Sequence, residues 1–211
     1  MALNTLIVDW GGVLTDSIGR SWSEIAQRTG IDVSAFRRVM DASVSENDEQ
    51  NWVHQYERGE LTDVEFEKLL LTELRAELGH AVPEGFLATL WQELAAAPDM
   101  VDVVRRARKQ GLHTALLSNS WGECYDRTEW DELFDHVVIS GEVGLRKPDP
   151  AIFTLTTGRL GVSPNQCVFV DDLAINVRAA ANVGMVGIHH QDTATTAQEL
   201  ETLFGLQLVL R

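Results

Sequence analysis

A chain of 211 residues is long enough to bury a full hydrophobic core without disulfide or metal staples. Apolar residues make up 45% and charged residues 23%, ordinary globular usage that argues against a disordered, fibrous or collagen-like chain. Lys and Arg number 17 against 32 Asp and Glu, and a formal charge of −15 disfavours duplex nucleic acid or an anionic membrane surface as a partner.

The opening MALNTLIVDWGG has no basic region and reaches Asp9 after a short apolar run, so neither a signal peptide nor a membrane span is expected. No later run approaches the roughly 18 apolar residues that a span needs. Leu3 to Asp9 reads as a buried strand running into the Gly11-Gly12 turn. From about 16 to 98 the pattern changes to helical periods with hardly a strand-like run. Phe66, Leu70, Leu74 and Leu78 form one stripe behind the capping box Thr62-Asp63-Val64-Glu65. Leu87, Leu90, Trp91 and Leu94 form another, read as core. This segment carries 16 acids and 7 bases, most simply a solvated surface.

Asp99 to Gln110 is a helix with Asp99 as its cap and Gly111 as its stop. Short apolar runs then recur at 113–118, 137–140, 167–171 and 185–189, each leading into polar or Gly residues. Strand and helix thus alternate over 99–192, the signature of a doubly wound parallel α/β sheet covered on both faces. The domain reading is a core of residues 1–15 and 99–211 with an all-helical cap at 16–98. Cys124 and Cys167, with no CxxC and no paired Cys/His spacing, read as packing thiols of a reduced, cytoplasmic protein without structural zinc.

Ligands of open parallel sheets bind beyond the carboxyl ends of the strands. Those ends carry Asp9, Ser118-Asn119 and Asp171-Asp172, with Lys147 in the loop after the third strand. Such a set suits phosphoryl transfer. A carboxylate can attack phosphorus in line, a hydroxyl with a neighbouring N–H and an ammonium can hold the phosphoryl oxygens, and further carboxylates can hold a hard cation.

In this order the residues resemble the four motifs of the haloacid dehalogenase superfamily, mostly magnesium-dependent phosphatases. The motifs read Asp9-Trp10-Gly11-Gly12-Val13, Leu117-Ser118-Asn119, Gly144-Leu145-Arg146-Lys147-Pro148, and Val168-Phe169-Val170-Asp171-Asp172 continuing into Asn176-Val177. The resemblance implies a Rossmann-like core with a helical cap inserted after the first motif. It also implies that Asp9 is the nucleophile, that Ser118, Asn119 and Lys147 bind the phosphoryl group, and that Mg2+ is held by Asp9, the Gly11 carbonyl, Asp171 and Asp172. The expected substrate is a small phosphorylated metabolite, with a sugar phosphate as one candidate, and any oligomeric state is compatible with the sequence.

One position departs from the family pattern. Its second carboxylate, which protonates the leaving group, is here Gly11, and such help is typically worth ~10²–10⁴ in rate. Two other readings therefore stand beside the phosphatase: a metal-free 2-haloacid dehalogenase, and a catalytically weak protein whose fold serves binding. Trp10 and Trp121, next to the first two motifs, either pack or line the cavity mouth. Arg20, Arg37 and Arg38 are read as a solvated helix face, with contact to an anionic substrate as the alternative, and His189-His190 as a strand end with one ring exposed.

Overall fold

The computed structural model describes residues 2–16, 18–42, 51–93 and 95–209, with backbone alone for 18–23 and 42. Five strands form one sheet: β1 (Thr5–Val8), β2 (His113–Ser118), β3 (His136–Ile139), β4 (Cys167–Asp171) and β5 (Val186–His189). Their order is β3-β2-β1-β4-β5 and every pairing is parallel. The chain moves outward from β1 to β2 and β3 on one side, then returns to build β4 and β5 on the other, so the end of β1 is the topological switch point. Val8 is level with Leu116 and with Val170, which brings Asp9, Leu117 and Asp171 out at one height.

The apolar runs are continuous because both faces are covered. Leu6, Val8, Leu116, Val168 and Val170 point to one face, against Met100, Val103, Val104 and Ala107 of α6 (Pro98–Lys109) and Ala197 and Leu200 of α11 (Thr193–Phe204). Ile7, Ala115, Leu117 and Phe169 point to the other, against Ile152 and Phe153 of α9 (Pro150–Leu160) and Ala180 of α10 (Ala174–Asn182). Two short helices, α7 (Trp130–Leu133) and α8 (Ser140–Val143), flank β3.

Between β1 and α6 lie α1 (Ile18–Thr29), α2 (Val33–Ala42), α3 (Trp52–Glu57), α4 (Asp63–Leu78) and α5 (Phe86–Glu93), and the described residues there include no strand. These helices share their own apolar cluster, whose buried members include Ile25, Phe36, Tyr56, Phe66, Leu70, Leu74 and Leu90. Truncating a fully buried leucine such as Leu70 to Ala costs about 2–5 kcal/mol. The capping box of α4 forms as expected, with the Thr62 hydroxyl accepting from Glu65 N and the Glu65 carboxylate accepting from Thr62 N. The two crossings between sheet and helices run side by side and antiparallel: Asp16 N donates to Ala95 O and Ala97 N to Leu14 O, each at 2.8 Å.

Asp99 does not cap α6. The helix starts one residue earlier, with Pro98 at its first position and Ala97 at the cap, where no side chain bonds the helix. Proline fixes the first turn without needing its missing N–H, and Asp99 is left in the first turn, where its charge suits the helix dipole. Leu94 and the side chain of Arg20 lie outside the described residues.

Candidate active site

Asp9 leaves β1 at the switch point, its N–H donating to Val170 O at 2.9 Å. Its Oδ1 accepts from Trp10 N at 2.7 Å and lies 2.8 Å from Lys147 Nζ. Lys147 is 1% exposed and ties three strand ends together. Besides Asp9 after β1, its ammonium donates to Leu117 O of β2 at 2.9 Å and to Asp171 Oδ2 of β4 at 2.7 Å. All three ammonium protons are thereby used.

Asp171 is fully buried and its carboxylate is saturated. Oδ2 takes Lys147, Oδ1 takes Leu173 N at 2.8 Å, and Asn176 Nδ2 bonds both oxygens at 3.1 Å. Asp172 is partly exposed and faces the turn after β1. That turn needs glycine at position 12, where φ is +73° and a Cβ would fall 2.4 Å from Asp172 Oδ2. Gly11 is different: a Cβ there would meet nothing within 4 Å.

Carboxylate oxygens of Asp9, Asp171 and Asp172 lie within 4.8 Å of one another. Burial, only partly offset by Lys147, pushes the Asp9 carboxyl up to about 8, and the charges of Asp171 and Asp172 add to the rise. Burial and the Asp171 charge push Asp172 up to about 6. Burial opposes the charge on Lys147, but Asp9 and Asp171 overcome it and hold the ammonium above its usual range. One lysine among three carboxylates leaves net negative charge in a dry place, and hard oxygen donors at this spacing fit a small divalent cation.

Ser118 ends β2, 2% exposed, with its Oγ 3.0 Å from the Tyr125 hydroxyl. Asn119 brackets the Lys147 backbone, its Oδ1 accepting from Lys147 N at 2.8 Å and its Nδ2 donating to Lys147 O at 3.0 Å. Asp9, Gly11, Ser118, Asn119, Lys147 and Asp172 all line one cavity of about 390 Å³, and Asp171 sits behind it. Six of the seven residues singled out from sequence thus converge, with the seventh joined to them through Lys147.

Other residues of the site come from places that strand-end reasoning does not reach. Glu57, at the end of α3, is 8% exposed and pairs with Arg146, next to Lys147; its Oε2 also lies 3.4 Å from Asn119 Nδ2. Burial raises the Glu57 carboxyl even against the Arg146 charge. Its carbonyl accepts from the Ser140 hydroxyl, which in turn accepts from Ser120 N at 2.7 Å, so α3 is seated on α8. Tyr125 reaches the site through the loop that follows Ser118, and Asn176, quoted in the fourth motif, from the first turn of α10. Trp10 and Trp121 both line the cavity, and so does Trp91, which packs on the helical cluster but is not enclosed by it. Arg37 lies on the lining and is exposed, whereas Arg38 pairs with Glu77 at 2.6 Å. His189 is exposed with Nε2 2.9 Å from Asp172 O, and His190 Nδ1 lies 2.8 Å from Thr196 Oγ1.

A doubly wound sheet whose switch point gathers three carboxylates and a buried lysine beside a cavity defines an α/β protein with its candidate active site at the strand ends. The chain belongs to the haloacid dehalogenase-like hydrolases, whose family model matches residues 3–184. It is 27% identical to the bifunctional epoxide hydrolase 2 of Sus scrofa over 99% of this chain, which spans 40% of that protein's length. It is 28% identical to the sesquiterpene phosphatase astK of Aspergillus oryzae, over 94% of this chain and 95% of that one. Two solved structures share the fold. A haloacid dehalogenase family enzyme of Bacteroides thetaiotaomicron, in complex with magnesium and inorganic phosphate, is 21% identical with a TM-score of 0.62, covering 90% of this chain and 95% of that one. A dehalogenase is 21% identical with a TM-score of 0.70, covering 95% and 96%.

Proposed function

We propose that the protein is a magnesium-dependent phosphatase of a small phosphorylated metabolite, with residues 16–98 acting as a cap over the strand ends of a core made of 1–15 and 99–211. The observation that carries this reading is the Asp9, Asp171 and Asp172 cluster, with oxygens within 4.8 Å and Lys147 beside it, opening on a cavity that also presents Ser118. Adjacent carboxylates of this kind would repel a carboxylate substrate, which disfavours the 2-haloacid dehalogenase reading. The sesquiterpene phosphatase, matched over nearly its whole length, and the magnesium and phosphate bound to the Bacteroides enzyme support the same direction.

In this reading Asp9 attacks phosphorus, forming a bond from its carboxylate oxygen while the ester P–O bond breaks and the departing oxygen leaves with the bonding pair, taking its proton from water. Water then attacks the phosphorus of the aspartyl phosphate, releasing a proton to solvent, and the bond to Asp9 breaks to give back its carboxylate and release inorganic phosphate. Ser118 and the Asn119 N–H hold the phosphoryl oxygens, and Lys147 offsets their charge against Asp9. Asp9, Asp172 and the Gly11 carbonyl would hold magnesium, which supplies positive charge for the phosphoryl oxygens. Asp171 supports that set from behind, because its own oxygens are committed to Lys147, Asn176 and Leu173. Nothing at Gly11 can give the departing oxygen a proton. No described helix is long and apolar enough to cross a membrane, and with both cysteines free we place the protein in the cytoplasm.

The experiment is turnover of p-nitrophenyl phosphate by the parent and by Asp9→Asn, with magnesium and with chelator. The expected result is activity in the parent with magnesium only, and none in Asp9→Asn at unchanged circular dichroism. Full turnover of 2-chloropropionate in chelator would instead establish the dehalogenase.

A further inference from the structure

Several polar groups that line the cavity are engaged with protein partners. Glu57 is held by Arg146, Asn119 by the Lys147 backbone, and the Tyr125 hydroxyl lies against Ser118. Aromatic rings supply much of the described lining besides. Trp10 meets Tyr125 edge to face at 4.9 Å, and Tyr125 meets Trp130 at 5.6 Å, a wall continuous with the sheet core. Trp91 meets Trp121 edge to face at 5.7 Å, and Trp121 meets Phe66 at 5.9 Å, a wall continuous with the helical cluster. Four of these rings, Trp10, Trp91, Trp121 and Tyr125, line the cavity.

The loop that carries Trp121 is closely packed. A Cβ at Gly122, just after Trp121, would fall 2.3 Å from Tyr56 Oη and from Asp63 Oδ1, so that loop is seated tightly on α3 and α4. Rigid aromatic surface favours apolar groups that shed their hydration at little entropic cost. A polyol in the same space would exchange several hydrogen bonds to water for contacts with ring carbons, and each unmade bond counts against it.

We infer that the alcohol carried by the phosphate ester is an uncharged hydrocarbon or aryl group, and not a sugar or other polyol. This rests on the phosphatase reading and narrows it. At about 390 Å³ the cavity is at the small end of ligand sites, room for the phosphoryl group and a compact apolar residue. An apolar group the size of benzyl gains about 100-fold in transfer from water to such walls.

The test compares kcat/KM for benzyl phosphate and isopentenyl phosphate with erythritol 4-phosphate and glucose 6-phosphate. All four are esters of primary alcohols, so leaving-group strength is nearly held and the polarity of the organic part varies. The expected preference for the apolar pair is about 100-fold. Trp91→Gln should reduce that preference about tenfold and Trp91→Phe should restore most of it. Magnesium-dependent turnover that is equal for the two pairs, or faster for the polyols, overturns the apolar assignment while leaving the phosphatase intact. If the parent turns over no phosphate ester at all, the phosphatase reading fails. The assignment is then read from tryptophan quenching by benzylphosphonate against a polyol phosphonate. Tighter binding of benzylphosphonate upholds it, and equal, reversed or absent binding overturns it.

Discussion

Replacing Lys147 with Met tests whether this one ammonium neutralises the switch point. The side chain is 1% exposed and its Nζ lies 2.8 Å from Asp9 and 2.7 Å from Asp171, so the substitution takes the ammonium away from two buried carboxylates and from the Leu117 carbonyl. Methionine nearly fills the volume, so the loss is electrostatic and not a cavity. Breaking a buried ion pair by removing one partner costs about 3–5 kcal/mol, and two pairs share this lysine. The cost depends on pH in a stated direction. Burial already raises Asp9 in the presence of Lys147, and without it the Asp9 carboxyl is raised further. A carboxyl with a raised folded pKa binds more protons folded than unfolded, so stability falls as pH rises from the unfolded value near 4 through the folded one. Urea denaturation of parent and Lys147→Met at pH 7 and pH 10, both in chelator, should therefore give a difference that is larger at pH 10, above the parent Asp9 value of about 8, and reaches about 3–5 kcal/mol there. A variant within about 1 kcal/mol of the parent at pH 10, or one hurt more at pH 7, would refute the reasoning.

Magnesium should raise Tm more at pH 8 than at pH 5. In chelator, Asp172 alone, pushed by burial from 3.8 to about 6, removes up to about 3 kcal/mol as pH rises through that window, and a bound cation cancels the loss; a magnesium shift independent of pH would count against this. Gly12→Ala should destabilise by more than about 1 kcal/mol in chemical denaturation, because φ is +73° and the new methyl meets Asp172, whereas Gly11→Ala should stay within about 0.5 kcal/mol. Gly11→Asp should flatten the dependence of log kcat/KM on leaving-group pKa and speed alkyl phosphates by up to ~10²-fold, since a side chain fits there. An unchanged slope would mean that the proton already comes from another residue or from the substrate.

The sheet was legible because burial on both faces turns each strand into an unbroken apolar run, and the next polar residue is then forced to the strand end. Asp9, Ser118 and Asp171 were found that way, and the level register of β1 with β2 and β4 explains why they meet. Helical stripes carried less information. The period that placed Trp91 in a core does not distinguish a ring enclosed by other helices from one that faces a cavity beside them. Glu57 and Tyr125 gave no local signal, since what marks each is a contact made across dozens of residues or by a loop fold. Asp99 was misread because an acid next to a proline satisfies both the cap and the first-turn preference, and backbone geometry decides between them.

The antiparallel pairing of the two crossings at Thr15 and Ala96 has a consequence for exchange of parts. Everything between leaves and re-enters the sheet through a doorway one hydrogen bond wide, so a cassette of almost any length can be spliced there with a closure term that grows by only about 0.6 kcal/mol per doubling. Grafting another helical segment at this doorway leaves the strand order and the four motifs untouched. What a graft has to reproduce is small and specific: a carboxylate that reaches Arg146 as Glu57 does, and an apolar seat for Trp121.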